Sequence, residues 1–213
     1  VTHLFDFTTY YKALLLISFI SLLCTNMYAL HEIYFSKIGV EEGLAQLTVM
    51  TIFEDELGNM WFGTREGVSV YNGTSMRNIQ PKQSYENVLS GNVIRNIQGD
   101  LNGSVYIHTQ NGVDKYDLRS EKISNLVKMQ VNAINCWSDD LWFAKNNKIF
   151  NYHKDKEHPF AEIDNHASIT VIKHVSDNRI MVGTLSSGLY EVDSLGRSKC
   201  LIAIQSRVSA IYE

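Results

Sequence analysis

Apolar and polar positions along the chain follow two regimes. Residues 13–24 form an almost unbroken apolar run that follows Lys12, whereas from about residue 43 onward apolar residues come in short stretches divided by polar turns. The second regime is the pattern of short strands. Val49, Ile52 and Phe53 mark a first strand, residues 54–59 a polar turn with a glycine, and Met60-Trp61-Phe62-Gly63-Thr64 a second strand. Arg65-Glu66-Gly67 is a tight connection and Val68-Ser69-Val70-Tyr71 a third strand with period-two alternation. Asn72-Gly73 then tolerates positive φ in a turn, and residues 76–79 supply a fourth strand. Four such strands predict one twisted antiparallel sheet.

The same phrase returns. In the second copy Val93 and Ile97 mark the first strand, residues 99–103 the turn, and Val105-Tyr106-Ile107-His108-Thr109 the second strand, with Gly112, Val113 and Tyr116 after it. In the third, Val131 and Ile134 precede an Asp139-Asp140 turn, then Leu141-Trp142-Phe143-Ala144, Ile149 and Tyr152. In the fourth, Ile169, Val171 and Ile172 precede Ser176-Asp177-Asn178, Ile180-Met181-Val182-Gly183-Thr184 and Gly188-Leu189-Tyr190. Aligned on Trp61, Tyr106, Trp142 and Met181, the periods are 45, 36 and 39 residues, which suits a propeller blade. Residues 208–213 repeat the opening of the first copy. The predicted fold is all-β: a β-propeller of four-stranded antiparallel blades at about 43–80, 88–126, 127–163 and 166–203, with a further blade beginning at 207–213 and the whole read as part of a longer chain.

The run Gly43-Leu44, Val49-x-x-Ile52-x-Glu54-Asp55, Gly58-Asn59-Met60-Trp61-Phe62-Gly63-Thr64 and Gly67-Val68-x-x-Tyr71 resembles the two-component regulator propeller repeat. His108 and Ala144 depart from that pattern at the strand glycine, and the third copy has Asn147-Lys148 where the loop glycine is expected. The resemblance covers roughly residues 31–213. It implies the periplasmic sensor region of a hybrid histidine kinase and response regulator, in Gram-negative and often glycan-degrading bacteria. Its implied ligand is a small molecule, expected to be an oligosaccharide, and its implied state is a homodimer of the full-length receptor.

The first thirty residues belong to another physical class. An apolar run of twelve behind one lysine is shorter than the ~20 residues of a spanning helix and has the order of a secretory signal, with Ala29 as a cleavage point. Residues 1–30 are therefore expected to be a helical signal peptide. An uncleaved anchor and a lipoprotein site at Cys24 are the other readings, and all three place the remainder outside the cytoplasm. No second apolar run follows, so the expected link to a membrane is this segment or a helix downstream. Ile33, Phe35 and Ile38 read as an outer strand before the first blade.

Composition narrows the function. A formal charge of −4 offers no basic surface for nucleic acid. The acidic turns recur at one hairpin position per blade and lack the alternating ligands of a calcium loop, so they read as turn formers. Seven histidines make no HxxxH or HExxH pair, and no glycine-x-serine-x-glycine elbow or phosphate loop occurs. No catalytic residue, metal or cofactor is expected. His108 reads as a filler of the strand-glycine slot. Cys136 and Cys200, on a first and a fourth strand, read as unpaired half-buried thiols. Trp61, Tyr106 and Trp142 with Tyr71, Tyr116 and Tyr152 read as packing between blades rather than a sugar-stacking platform. Trp137, in the place of Asp55, is expected to have a local role.

In a propeller the loops from second to third strand gather around one mouth of the channel, and varied polar residues on a fixed frame suit binding. The expected ligand face is therefore Arg65, Glu66, Gln110, Asn111, Lys145, Asn146, Ser186 and Ser187. A sensor is the leading function. An exported lyase or glycan-active hydrolase would need convergent carboxylates or a metal cluster at one mouth, and a scaffold for protein partners would need neither.

Overall fold

The computed structural model describes residues 7–24, 35–81, 88–100, 102–163 and 167–212. The chain divides into two compact units, Val1–Lys37 and Ile38–Glu213. In the first, helix α1 (Phe7–Cys24) takes up the apolar run, and its side chains from residue 10 to residue 19 are all exposed. Among the described residues no helix is long and apolar enough to cross a membrane. The expected cleavage point at Ala29, and His31 and Ile33 of the expected outer strand, lie outside the described residues. Residues 35–39 form no strand, and Phe35 is 93% exposed. A strand exists only where a neighbouring strand satisfies its backbone groups, and residues 35–39 belong to none of the four sheets.

The second unit contains four antiparallel meanders, each with its strands in sequence order. The first blade is β1 (Val49–Glu54), β2 (Met60–Thr64), β3 (Gly67–Tyr71) and β4 (Met76–Ile79). The second is β5 (Ile94–Gly99), β6 (Ser104–Thr109), β7 (Val113–Asp117) and β8 (Ile123–Val127). The third is β9 (Ala133–Trp137), β10 (Asp140–Lys145), β11 (Lys148–His153) and β12 (Lys156–Glu162). The fourth is β13 (Ile169–Ser176), β14 (Arg179–Thr184), β15 (Leu189–Asp193) and β16 (Ser198–Ile202). Val93 and Val131 fall just ahead of β5 and β9 instead of inside them. Residues 207–212 form no strand.

Blade-periodic apolar positions make three buried clusters, each shared by two consecutive blades. Trp61 is fully buried and meets Tyr116 of the next blade edge-on at 5.1 Å, and Trp142 meets His174 of the next at 4.6 Å. These aromatics are therefore inter-blade core, where ring contact adds to the burial of large apolar area.

The strand glycine is explained by the same contact. A Cβ on Gly63 would come within 2.7 Å of Ile94 Cγ2, and one on Gly183 within 2.6 Å of Val208 Cγ1, so each glycine leaves room for the β-branched residue that follows its blade. His108 stands in that slot in the second blade. Its ring is 2% exposed and its Nε2 lies 3.1 Å from the Val131 carbonyl, so it fills the space the glycine leaves and bonds the chain entering the third blade.

The hairpin carboxylates hold the turns. Asp55 Oδ1 accepts from the Leu57 and Asn59 amides, and Asp100 Oδ1 from those of Asn102 and Ser104. The second oxygen of each reaches the aromatic of β2 or β6: Trp61 Nε1 donates to Asp55 at 2.8 Å and Tyr106 donates its hydroxyl to Asp100 at 3.2 Å. Burial raises the Asp55 pKa, but the hydrogen bonds from Asn59, Trp61 and Leu57 outweigh it and hold the carboxyl below its ordinary value. The third blade has lost this device. Its turn is Ser138-Asp139, both at positive φ, while Asp140 already pairs with Trp137 in the ladder, which corrects the expected Asp139-Asp140 turn. With Trp137 where Asp55 stands in the first blade, Trp142 Nε1 is buried without an acceptor.

Candidate ligand-binding face

The first strands β1, β5, β9 and β13 border a concave cavity of about 860 Å³. At one register position, the residue of each first strand reaches the next first strand. Phe53 presses on Gly99, where a Cβ would come within 2.5 Å of its ring. Gln98 accepts from the Cys136 amide at 2.7 Å and donates to the Ile134 carbonyl at 3.2 Å. Asn135 Oδ1 accepts from the His174 amide at 3.0 Å and lies 2.8 Å from His174 Nδ1, which donates to it. Lys173 is fourth in the series. Because these clamps tie neighbouring blades where no ladder does, Asn135→Ala is expected to lower unfolding stability by about 1–3 kcal/mol, the cost of unpaired buried donors on His174. Urea titration followed by tryptophan fluorescence measures it, and an unchanged midpoint would show that the clamp is dispensable.

A second tether fastens the segment entering each of the first two blades. Ser69 Oγ accepts from the Ala45 amide, and Asn78 Nδ2 donates to the Gly43 carbonyl. At the matching positions Asp114 accepts from the amide and hydroxyl of Ser90, and Asn125 Nδ2 donates to Asp114 and to the Val88 carbonyl. Burial raises the Asp114 carboxyl above its ordinary pKa against these hydrogen bonds. In the sequence the signal is Ser69/Asp114 and Asn78/Asn125 at one phase of the repeat, hidden because the first position changes residue type and the partners of both are backbone groups and serines of the entering segment.

The expected ligand residues border different depressions of the surface. Arg65 lines the concave cavity. Glu66, Gln110 and Asn111 share a shallow open recess with Asn92, and Lys145 and Asn146 border another with Met129. Ser187 is held in the β14–β15 turn, where its amide donates to Thr184 Oγ1. Several of these side chains are engaged within the protein: Gln110 accepts from the Val93 amide and donates to Asn92 Oδ1, Asn111 donates to the Ser90 carbonyl, and Lys145 Nζ contacts Met129 Sδ at 3.2 Å. These loop side chains thus hold the segment that enters their own blade.

The remaining candidates resolve locally. Trp137 stacks on His174 at 5.4 Å and donates Nε1 to Asp177 Oδ1 at 3.1 Å, joining the hairpin ends of the third and fourth blades. Both cysteines are unpaired; Cys136 is half-buried on β9, but Cys200 is exposed because it lies on the outer strand β16. Among the described residues no group of three or more histidine, cysteine or carboxylate side chains is placed to hold a metal.

Residues 43–66 match the two component regulator propeller family. The chain carries a two-component regulator propeller repeat. No curated protein matches the chain. Among solved structures, the chain is similar to the extracellular domain assigned to the hybrid two component system BT4673 of B. thetaiotaomicron, at 25% identity and a TM-score of 0.59 over 73% of this chain and 21% of that one. A second structure of a BT4673 extracellular domain, assigned there to a one component system, gives 24% identity and a TM-score of 0.58 over 73% of this chain and 24% of that one. PorZ, a surface component of the type-IX secretion system of Porphyromonas gingivalis, shares the fold at 13% identity and a TM-score of 0.63, over 80% of this chain and 24% of that one. The chain therefore spans about a quarter or less of these solved structures.

Proposed function

We propose that this regulator propeller is the extracytoplasmic ligand-sensing segment of a two-component receptor. The observation that carries the reading is the matched repeat at residues 43–66, set in a blade array similar to the BT4673 extracellular domain. The ligand is an oligosaccharide, the concave face and the adjoining loops with Arg65, Glu66, Gln110, Asn111, Lys145, Asn146, Ser186 and Ser187 receive it, and the response is control of a cytoplasmic histidine kinase in a homodimeric receptor. Residues 1–30 act as the export signal. A ligand shifts such a receptor only by binding one of its geometries more tightly than another, which suits a frame whose blades are joined by individually weak clamps.

The test has two readouts. Oligosaccharides of several compositions are titrated into the 213-residue chain by calorimetry, and those that bind are supplied to cells carrying the receptor with a reporter for its kinase output. The expected result is at least one saccharide that binds and changes the reporter. Absence of both responses across the panel overturns the reading.

A further inference from the structure

The concave cavity bordered by the first strands takes in four cationic side chains, Arg65, Arg95, Lys173 and Arg207, and no carboxylate among the described residues. The chain as a whole is acidic, with a formal charge of −4, so this face runs against the general balance. The arginines and lysines that have carboxylate partners lie elsewhere in the blades. Arg77 pairs with Glu121, Lys148 with Glu162, Arg179 with Glu191 and Arg197 with Asp193. None of the four cavity cations has an ion-pair partner among the described residues.

Their placement is not scattered. Arg65 is in the β2–β3 turn, Arg95 lies at the irregularity where β5 begins, and Arg207 adjoins Val208, whose amide donates to the Thr184 carbonyl at the end of β14. All three are therefore at the end of the blades where second strands turn into third strands, with Lys173 further along the same cavity. The carboxylates Asp100, Asp139 and Asp177 belong to the opposite, hairpin end, while Glu66, next to Arg65 in the same turn, lines a separate recess and not this cavity. His108 borders the cavity beside Arg95 and adds no negative charge.

We propose that this cationic mouth binds an anionic saccharide, one whose carboxylate or sulfate groups pair with Arg65, Arg95, Arg207 and Lys173. This rests on the saccharide-sensing reading above and names the class of saccharide. The guanidinium fork matches carboxylate and sulfate oxygens two at a time. A concavity with low-dielectric walls strengthens the field of unpaired cations beyond what a flat surface allows. Asn132 and Thr170 also line the cavity, their side chains bonded to Ser168, to the Asn146 amide and to the Val208 carbonyl, and Gln98 and Asn135 are held rigid by their clamps to the next blade.

Three probes of matched length decide it: an oligogalacturonate, a sulfated oligosaccharide and a neutral cello-oligosaccharide, each titrated into the full chain and into the triple variant R95Q/K173Q/R207Q. Circular dichroism and thermal melting of the variant establish that it folds. The expected result is binding of a charged probe at least about tenfold tighter than the neutral one, and a loss of more than about tenfold in the folded variant, since 1.4 kcal/mol corresponds to one decade. Which charged probe binds separates carboxylate from sulfate recognition. Binding of the neutral probe as tightly as the charged ones, unchanged in the variant, overturns the anionic class while leaving saccharide sensing intact. No binding of any probe, together with a silent kinase reporter, removes both. If the variant unfolds, single variants R95Q and R207Q and the salt dependence of wild-type binding replace it, and affinity insensitive to salt overturns the proposal.

Discussion

Gly188→Ala is expected to destabilise the fourth blade by about 2–5 kcal/mol, the sum of a left-handed backbone penalty and an overpacking cost. Gly188 has φ +94°, and a Cβ there would overlap the carbonyl oxygen of Ile202 on the neighbouring strand β16. That carbonyl belongs to the last residue of the outer strand, paired with Leu189, so the side chain can be housed only by parting β15 from β16. The same approach occurs at Gly67 to the Ile79 carbonyl, with φ +103°. A matched control separates the two costs: Gly73 also has positive φ, +92°, but nothing lies within 4 Å of its Cβ position. Gly73→Ala should therefore lose only the backbone term, about 1–2 kcal/mol. Urea unfolding of both variants measures the difference, and equal midpoints would mean that the Ile202 carbonyl does not restrict the site. The third blade shows how the requirement is met without glycine. There Asn146 takes the positive φ, +54°, and Asn147 donates its side-chain amide to Glu162 and to the Ile163 carbonyl at 3.0 Å.

Stability is expected to fall as pH drops from about 6.5 to about 4, by up to about 3 kcal/mol for each of two histidines. Burial pushes His108 down to about 4 from 6.5, opposed by its contact with the Val131 carbonyl and aided by Arg95. Burial also lowers His174 to about 4, against the attraction of Asp177. Each folded pKa lies below the unfolded one, so in this window the unfolded chain binds more protons. The contribution is present above pH 6.5 and lost as pH falls toward 4. Asp114 works in the other sense, because burial raises its carboxyl and its protonation on acidification relieves that cost. The urea midpoint should decline across this range, and H108Q/H174Q, whose amides can still hydrogen-bond without ionising, should flatten the decline. A slope unchanged in the double variant would assign the acid sensitivity to other groups.

Much of the architecture was legible because each blade repeats the same apolar phrase. Trp61, Tyr106 and Trp142 fall at one phase, and a buried aromatic in a second strand leaves little choice of register, since a slip by one residue would turn the ring to the wrong face. The acidic turns were legible for a local reason as well: a carboxylate bonding the backbone two to four residues on needs no distant partner. The third blade escaped this reading where its spacing shortened. With Trp137 in the place of Asp55, the turn moved back to Ser138-Asp139, and a buried indole N–H was left without an acceptor.

The binding face was less legible. Of the loop residues at one phase of the repeat, Arg65 borders the concave cavity while Glu66, Gln110, Asn111, Lys145 and Asn146 border two shallow recesses, and several are occupied with groups of the entering segments. Repeat phase reports which end of a blade a residue occupies, but not which way its side chain is drawn by a neighbouring blade.

By itself the sequence determined the all-β class, the four blades and their meander order, because these depend on short-range periodicity and turn chemistry repeated along the chain. Only the tertiary structure decided the clamps from Gln98 and Asn135 to the next first strand, the filling of the glycine slot by His108, and the gathering of Arg65, Arg95, Lys173 and Arg207 on one concave face. Those features depend on how first strands from separate blades come side by side. That arrangement is set by the packing of large buried residues between blades, and it brings together side chains spread from residue 65 to residue 207.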